Sequence, residues 1–152
     1  MLSEQSITQL ARLPFFLDLS DDTVQRVLRA FNQAGQAEAV PDGTVLLQEG
    51  EKSSDTGFIL LDGEVSVSAS CGFSKEVHGP VLLGEMKQFD FERTEMRLAT
   101  VVANAGVRVI RFSWMQFYEA LSDRLSPEEL KEFSQALENY AWLHYLERQE
   151  EI

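Results

Sequence analysis

Apolar residues recur at helical spacing through the first thirty positions of the chain. This pattern predicts a helix over residues 3–13, which Pro14 ends. A second amphipathic helix is predicted after residues 19–22, which supply a capping serine and two acidic residues for its first turn. Its apolar positions follow one another at i, i+3, i+4 and i+7: Val24, Val27, Leu28 and Phe31.

From Gly35 onward the apolar period shortens from that of a helix to that of a strand. Residues 64–69 alternate polar and apolar side chains, so one face of this strand is expected to be buried and the other hydrated. Asp62 and Gly63, between two β-rich runs, predict a hairpin turn. Short strands separated by turns indicate an antiparallel barrel or jelly roll. The predicted strands are residues 37–40, 44–48, 57–61, 64–69, 75–77, 97–103 and 107–112.

The end of the chain is helical again. A short helix is predicted over residues 114–121, and a long one begins where Ser126 can cap it and Pro127 occupies its first turn. The predicted fold class is mainly β: an antiparallel β jelly-roll barrel (double-stranded β-helix) with N-terminal helices and a C-terminal helix. We expect residues 1–125 to form the barrel domain with its N-terminal helices. Residues 126–152 would form a helix that serves as a lid, a dimer contact or a partner contact.

Composition narrows the classes of function. The 152 residues carry 13 Lys and Arg against 25 Asp and Glu, a formal net charge of −12. This excess of acid argues against nucleic acid and anionic membranes as partners, because both are bound mainly by clustered basic residues. Cys71 is the single cysteine, no apolar run reaches the length of a membrane span, and the N-terminus does not resemble a signal peptide. A reduced, cytoplasmic protein is therefore expected.

The sequence gives no positive sign of enzyme chemistry. The two histidines, His78 and His144, fall on different predicted elements and form no His-x-His pair of the kind that cupin-type metal sites use. His78 is interpreted as a solvated residue at a strand end or in a turn. Cys71 lies beside Gly72 at a predicted hairpin tip, with no histidine near it in sequence to activate it. We therefore expect a protein that is not an enzyme and has no cofactor; a metal enzyme on a cupin-like barrel is the least favoured alternative.

One group of residues suggests a binding site. Gly84 and Glu85 follow an apolar strand, and a Gly-Glu pair at such a place can open a short helix whose free backbone N–H groups attract an anion. Arg97 enters the next predicted strand and can present its planar guanidinium group to a phosphate. Glu85 could then accept a hydrogen bond from a sugar hydroxyl, which makes the group a nucleotide cradle. The alternative is that Glu85 caps a turn and Arg97 is a surface charge at a strand edge.

Longer motifs across about residues 7–121 support the first interpretation. The chain carries, in this order, residues 14–20 (PFFLDLS), residues 41–51 (PDGTVLLQEGE), residues 58–67 (FILLDGEVSV), the Gly84-Glu85 pair and residues 97–103 (RLATVVA). In these motifs the chain resembles the cyclic-nucleotide-binding domains of the catabolite activator protein and of the regulatory subunits of cAMP-dependent kinase. The resemblance implies the jelly roll of that family and a cyclic nucleotide as the ligand.

The resemblance also implies roles for individual residues. Arg97 would bind the oxygens of the cyclic phosphate, Glu85 the ribose 2′-hydroxyl, and Gly84 would let the backbone approach the ligand. Leu98 offers no hydrogen bond to a guanine amino group, which favours cAMP over cGMP, although cGMP and a cyclic dinucleotide stay open. The complete set of implied ligand-binding residues is Gly84, Glu85, Met86, Arg97, Leu98 and Ala99.

The segment between Glu85 and Arg97 differs from the family pattern. Leu83 stands where an aromatic residue is usual, Met96 stands where proline is usual, and the segment is longer and more acidic than in typical members. A ligand-free scaffold or protein-interaction module on the same fold is therefore the alternative to a stand-alone cyclic-nucleotide sensor. In both cases the acidic C-terminal helix is the expected contact for an unknown protein partner, and a homodimer is a further expectation.

Overall fold

Helices precede and follow the β-strands along the chain. The computed structural model describes residues 2–52, 55–72, 74–83, 97 and 99–151, with side chains described as far as residue 140. Its strands are β1 (Gln36–Val40), β2 (Val45–Leu47), β3 (Thr56–Asp62), β4 (Glu64–Ser68), β5 (Ser74–His78), β6 (Val81–Leu83), β7 (Thr100–Ala103) and β8 (Val107–Ser113). Its helices are α1 (Glu4–Leu10), a 3₁₀ helix (Pro14–Asp18), α2 (Asp21–Ala34), α3 (Trp114–Ser122) and α4 (Pro127–Glu151).

The strands are divided between two four-stranded antiparallel sheets. The first sheet has the strand order β1-β8-β3-β6, and the second has the order β2-β7-β4-β5. Both sheets contribute to one hydrophobic core, which includes Leu60 of β3 and Val65 of β4. The predicted mainly β architecture with helices at both ends is therefore confirmed. Closure of the strands into a barrel stays a prediction.

The two sheets differ in how many of their faces are buried. Residues 57–61 of β3 are all buried, because the first sheet has the second sheet on one face and helices on the other. On the helix side, the ring of Phe112 in β8 lies 5.4 Å from that of Phe31 in α2. In β4, by contrast, Val65 and Val67 are buried while the residues next to them are more exposed. The unbroken apolar run in β3 and the alternation in β4 both follow from this arrangement.

The turn at Asp62 and Gly63 is not a hairpin, and that prediction was wrong. β3 pairs with β6 and β8, whereas β4 pairs with β5 and β7, so the turn carries the chain from one sheet to the other. Gly63 adopts a φ of +94°, the region that favours glycine. A glycine at positive φ makes the tight turn possible but does not determine which strands pair. The predicted hairpin tip at Gly72 does join two paired strands, β4 and β5.

Serine side chains cap the helices at the positions that the sequence predicts. The Ser20 hydroxyl accepts a hydrogen bond from the Thr23 backbone N–H at 3.3 Å, at the start of α2. At the start of α4, the Ser126 hydroxyl accepts from the Glu129 N–H at 3.1 Å, and the Glu129 carboxylate accepts from the Ser126 N–H at 3.0 Å. This reciprocal pair is a capping box. Glu129 also accepts from Arg26 of α2 at 2.6 Å, which ties the two helices together.

The first half of α4 belongs to the same core as the sheets. The ring of Phe133 lies 5.7 Å from that of Phe15 in the 3₁₀ helix, and the ring of Tyr140 lies 5.6 Å from Phe15. The proposed division of the chain at residue 125 stays a prediction. No helix among the described residues is long and apolar enough to cross a membrane.

Replacement of Gly63 by alanine tests the crossing between the sheets. A Cβ at this position would lie 2.7 Å from the carbonyl oxygen of Gly106, whereas a Cβ at Gly72 would meet nothing within 4 Å. Both glycines have positive φ, so both variants carry that backbone cost. We expect Gly63→Ala to lower the free energy of unfolding by about 1 kcal/mol more than Gly72→Ala, measured by urea denaturation. Equal losses in the two variants would contradict the close approach of the turns.

The hydrogen bond donated by the Ser126 backbone N–H, and further the charge of Arg26, lower the pKa of the Glu129 carboxyl below its ordinary value. A lowered pKa in the folded state stabilises the protein above the unfolded-state pKa, about 4.3, and this contribution is lost as pH falls through the folded-state pKa. We expect Glu129→Gln to be less stable than the parent protein at pH 7, with the difference shrinking below about pH 4.3. Thermal unfolding of both proteins across this pH range measures the difference in stability.

Glu128→Gln is the matched control for this prediction, because it removes the same charge from the same exposed turn. Its stability should follow that of the parent protein more closely at pH 7. A difference between Glu129→Gln and the parent protein that does not change with pH would contradict the assignment.

Candidate ligand-binding pocket

The predicted site residues fall into two groups. Gly84, Glu85, Met86 and Leu98 lie outside the described residues, so their predicted roles stay predictions. Arg97 and Ala99 are described: Arg97 is half-buried and Ala99 is buried. The geometry of the site is therefore built from these two residues and from the strands around them.

Arg97 lies before β7 and not within it. The predicted strand over residues 97–103 begins only at Thr100. The Arg97 backbone pairs instead with the loop that joins β2 to β3: its N–H donates to the Glu51 carbonyl at 2.8 Å, and its carbonyl accepts from the Gly50 N–H at 3.0 Å. The Arg97 guanidinium donates to the carbonyl of Thr56, at the start of β3, at 3.4 Å. The β2–β3 loop and the first residue of β3, both distant from Arg97 in sequence, therefore hold this arginine in place.

A pocket of about 320 Å³ opens between β2 of the second sheet and the β3–β8 pair of the first. This volume lies at the lower end of the range for small-molecule sites, about 300–1,000 Å³. The pocket combines aliphatic side chains of β2 with the ring of Phe58 and several charged groups. The lining residues are Thr44, Val45, Leu46, Leu47, Gln48, Glu51, Lys52, Thr56, Phe58, Arg97 and Arg111.

Positive charge predominates among the described lining residues. Three of them are basic, Lys52, Arg97 and Arg111, and one is acidic, Glu51. Arg111 donates to Glu38 of β1 at 2.7 Å, and its guanidinium carbon lies 5.4 Å from the centre of the Phe58 ring. A half-buried cavity with this charge is suited to a small anion, because opposite charges attract more strongly away from bulk water.

Sequence reasoning did not find Lys52 and Arg111. Arg111 could have been found from the alternation of β8. Val107 and Val109 are buried on one face of the strand, and the next residue on that face is Arg111. Lys52 gives a weaker signal, since it lies in a polar turn of the kind that usually faces solvent.

The loop beside the pocket is held by hydrogen bonds to the second sheet. The Thr100 hydroxyl accepts a hydrogen bond from the Glu49 N–H at 3.0 Å and another from the Gln48 side-chain amide at 3.2 Å. The Glu49 carboxylate in turn accepts from the Ser70 N–H at 2.8 Å, at the β4–β5 hairpin. These contacts fix the backbone that pairs with Arg97 and carries Lys52.

Two other titratable groups that the sequence singled out, His78 and Cys71, lie at the surface. His78 ends β5 with its side chain 72% exposed and its Nε2 3.0 Å from a Glu64 oxygen, which confirms it as a solvated strand-end residue. Cys71 is exposed at the β4–β5 turn. In the part of the chain that the structure describes, no group of three or more His, Cys, Asp or Glu residues is placed to hold a metal ion.

Solved structures share this arrangement of sheets and helices. A cyclic nucleotide-binding domain from Methylobacillus flagellatus KT superposes with a TM-score of 0.71 and 22% identity, over 98% of this chain and 81% of that one. The N-terminal domain of a transcriptional regulator from Streptomyces coelicolor A3(2) gives 0.64 and 21%, over 90% and 94%. The sensor domain of the transcriptional regulator DNR from Pseudomonas aeruginosa gives 0.60 and 18%, over 91% of each chain.

No protein-family model matches the sequence, and no curated protein matches it. These three structural neighbours are below 25% identity, so the similarity concerns the fold. At that level the resemblance predicted from the sequence motifs is confirmed: this chain has the fold of the cyclic-nucleotide-binding domains.

Proposed function

We propose that this chain binds a cyclic nucleotide, with cAMP preferred over cGMP, and that it acts as a sensor or regulatory module and not as an enzyme. The observation that carries the proposal is the position of Arg97, which lines a pocket of about 320 Å³ between the two sheets. The neighbours named as a cyclic nucleotide-binding domain and as parts of transcriptional regulators support a regulatory role.

In the proposed complex, the Arg97 guanidinium makes two charge-assisted hydrogen bonds to the cyclic phosphate. The backbone pairing of Arg97 with Gly50 and Glu51 holds the side chain in place before the ligand arrives, which lowers the entropy cost of binding. Glu85 would accept from the ribose 2′-hydroxyl. The remaining residues of the proposed site surround the phosphate through their backbone: Gly84, Met86, Leu98 and Ala99.

A direct contact joins the neighbourhood of this site to α4. The buried N–H of Leu82, in β6, donates to the Tyr140 hydroxyl at 3.2 Å. Leu82 lies two residues before Gly84, where the proposed phosphate-binding segment begins. A ligand that shifts this segment would therefore act on α4 through Tyr140, which also packs on Phe15. We propose that α4 transmits the signal and that its acidic surface contacts a basic protein partner or a second copy of the chain in the cytoplasm.

Replacement of Arg97 by alanine tests the ligand assignment. We expect cAMP to bind the parent protein more tightly than cGMP, and Arg97→Ala to weaken cAMP binding by about 30-fold or more, because the buried phosphate loses its main counter-charge. Calorimetric titration measures both. Arg29→Ala, which removes an exposed arginine from α2, is the control and should leave the affinity unchanged.

Two results would contradict the proposed function. The first is equal cAMP affinity in the parent protein and in a folded Arg97→Ala variant. The second is no binding of either nucleotide by a parent sample shown to be free of bound nucleotide. That second result would favour a ligand-free scaffold on the same fold.

Tyr140→Phe tests the connection to α4. The variant removes the acceptor of the Leu82 N–H and keeps the aromatic ring in the core. In the parent protein, we expect cAMP to slow amide hydrogen exchange in α4. In Tyr140→Phe, this slowing should be reduced while the affinity changes by less than about threefold, since the hydroxyl lies outside the pocket lining. Identical protection of α4 in both proteins would show that this contact does not transmit the signal.

A further inference from the structure

Arg111 occupies a position where the strand pattern calls for an apolar residue. Side chains at alternate positions of β8 share a face, and Val107 and Val109 on that face are buried in the core. Arg111 is the next member of the series, and it pairs across the sheet with Phe58 of β3. The guanidinium is therefore placed at the edge of the space between the two sheets, where it lines the pocket.

Two contacts hold Arg111 and leave most of its donors available. Glu38 accepts one hydrogen bond, from Nη2 at 2.7 Å, and the Phe58 ring lies 5.4 Å from the guanidinium carbon. A guanidinium has five N–H donors, and in the described part of the chain Glu38 is the acceptor found for Arg111. The side chain of Arg111 is 53% exposed, so a ligand in the pocket can reach it.

Lys52 adds a second cation with free donor capacity to the same pocket. It is exposed in the loop between β2 and β3, and no acceptor contacts its ammonium group among the described residues. The acids that offset these charges are Glu38, on Arg111, and Glu51, in the lining. Neither acid contacts Lys52.

Arg97 and Arg111 lie at two different positions along the β3 wall of the pocket. The Arg97 guanidinium reaches the Thr56 carbonyl, whereas Arg111 lies beside Phe58. Thr56 and Phe58 are two residues apart on β3, which places their backbones about 7 Å apart. A phosphate bound by Arg97 at the Thr56 position therefore lies one two-residue strand repeat away from the position of Arg111.

We propose that Arg111, assisted by Lys52, forms a second phosphate-binding subsite, so that the pocket gains affinity for a nucleotide carrying two separate phosphate groups. The first phosphate lies on Arg97, and to that extent the inference rests on the proposed function. The second phosphate competes with Glu38 for Arg111. A cyclic nucleotide, with one phosphate, uses the first subsite alone.

The test compares three probes that share one nucleoside. Adenosine 3′,5′-bisphosphate has two phosphates, adenosine 5′-monophosphate has one phosphate of high charge, and cAMP has one cyclic phosphate. By calorimetric titration at constant ionic strength, we expect the bisphosphate to bind the parent protein about tenfold more tightly than the monophosphate, the gain from one additional charge-assisted contact. No advantage of the bisphosphate would overturn the proposal.

Substitutions of the two members of the Arg111–Glu38 ion pair should change bisphosphate affinity in opposite directions. Arg111→Gln should remove the advantage of the bisphosphate over the monophosphate, so that the two probes bind this variant with similar affinity. Glu38→Gln should raise bisphosphate affinity by about threefold, because it releases Arg111 from its competitor. A purely structural role of the pair predicts that both variants lower the affinity for all three probes, and that result would overturn the proposal.

Lys52→Gln keeps the proposal testable if Arg111→Gln does not fold, because Lys52 is exposed and its replacement does not disturb the core. It should weaken bisphosphate binding selectively.

The outcomes of the titrations distinguish failure of the proposed function from failure of the second subsite. If the bisphosphate binds more tightly than the monophosphate and cAMP does not bind, the cyclic ligand is wrong and the second subsite stands. If cAMP binds and the bisphosphate has no advantage, the second subsite is wrong. If neither probe binds, both are wrong.

Discussion

The rest of the structure depends on the burial of the first sheet on both faces. Residues 57–61 of β3 form a continuous buried run, and β8 beside them is buried at most positions. Each apolar side chain left in water would cost about 25 cal/mol for every Å² exposed, so both faces need a cover. The second sheet covers one face. Helices α2 and α3 cover the other, where the rings of Phe31 and Phe117 stack at 3.9 Å and both pack on Phe112.

The pocket lies where this double burial ends. Along the inner face of β8 the buried valines give way to Arg111, a group whose desolvation is too costly for a closed core. Its position beside the pocket keeps it hydrated, and Glu38 and the Phe58 ring support it. Arg97 reaches the same space from the chain before β7, at the Thr56 carbonyl. Strand β8 and the chain that leads into β7 therefore carry the arginines that are suited to an anion.

The features that sequence reasoning found are the ones that local chemistry determines. The capping box of Ser126 and Glu129 needs only residues three apart, and the sequence was sufficient to place the start of that helix. The turn at Gly63 shows where local sequence rules are insufficient. The Asp-Gly pair predicts a turn correctly, but the pairing of the strands that flank it depends on β6, β7 and β8, which are distant in sequence. Arg97 was expected inside a strand because the loop that takes its backbone hydrogen bonds lies far away in the chain. Arg111 was missed for the same reason, since its partners come from β1 and β3.

Charge is distributed so that the proposed site and the remaining surface act differently on anions. The protein as a whole carries a formal net charge of −12, while the described pocket lining has three basic residues and one acid. At physiological ionic strength charges are screened beyond about 8 Å, so a small anion inside the pocket is influenced mainly by the groups that line it. We do not expect a polyanion such as nucleic acid as a partner, because the protein as a whole is acidic and nucleic acid is bound mainly by clustered basic residues. From the combination of a cationic pocket and an acidic protein, we therefore expect the proposed site to prefer small phosphate-containing ligands over polymeric ones, a selectivity that neither the fold nor the total charge would give alone.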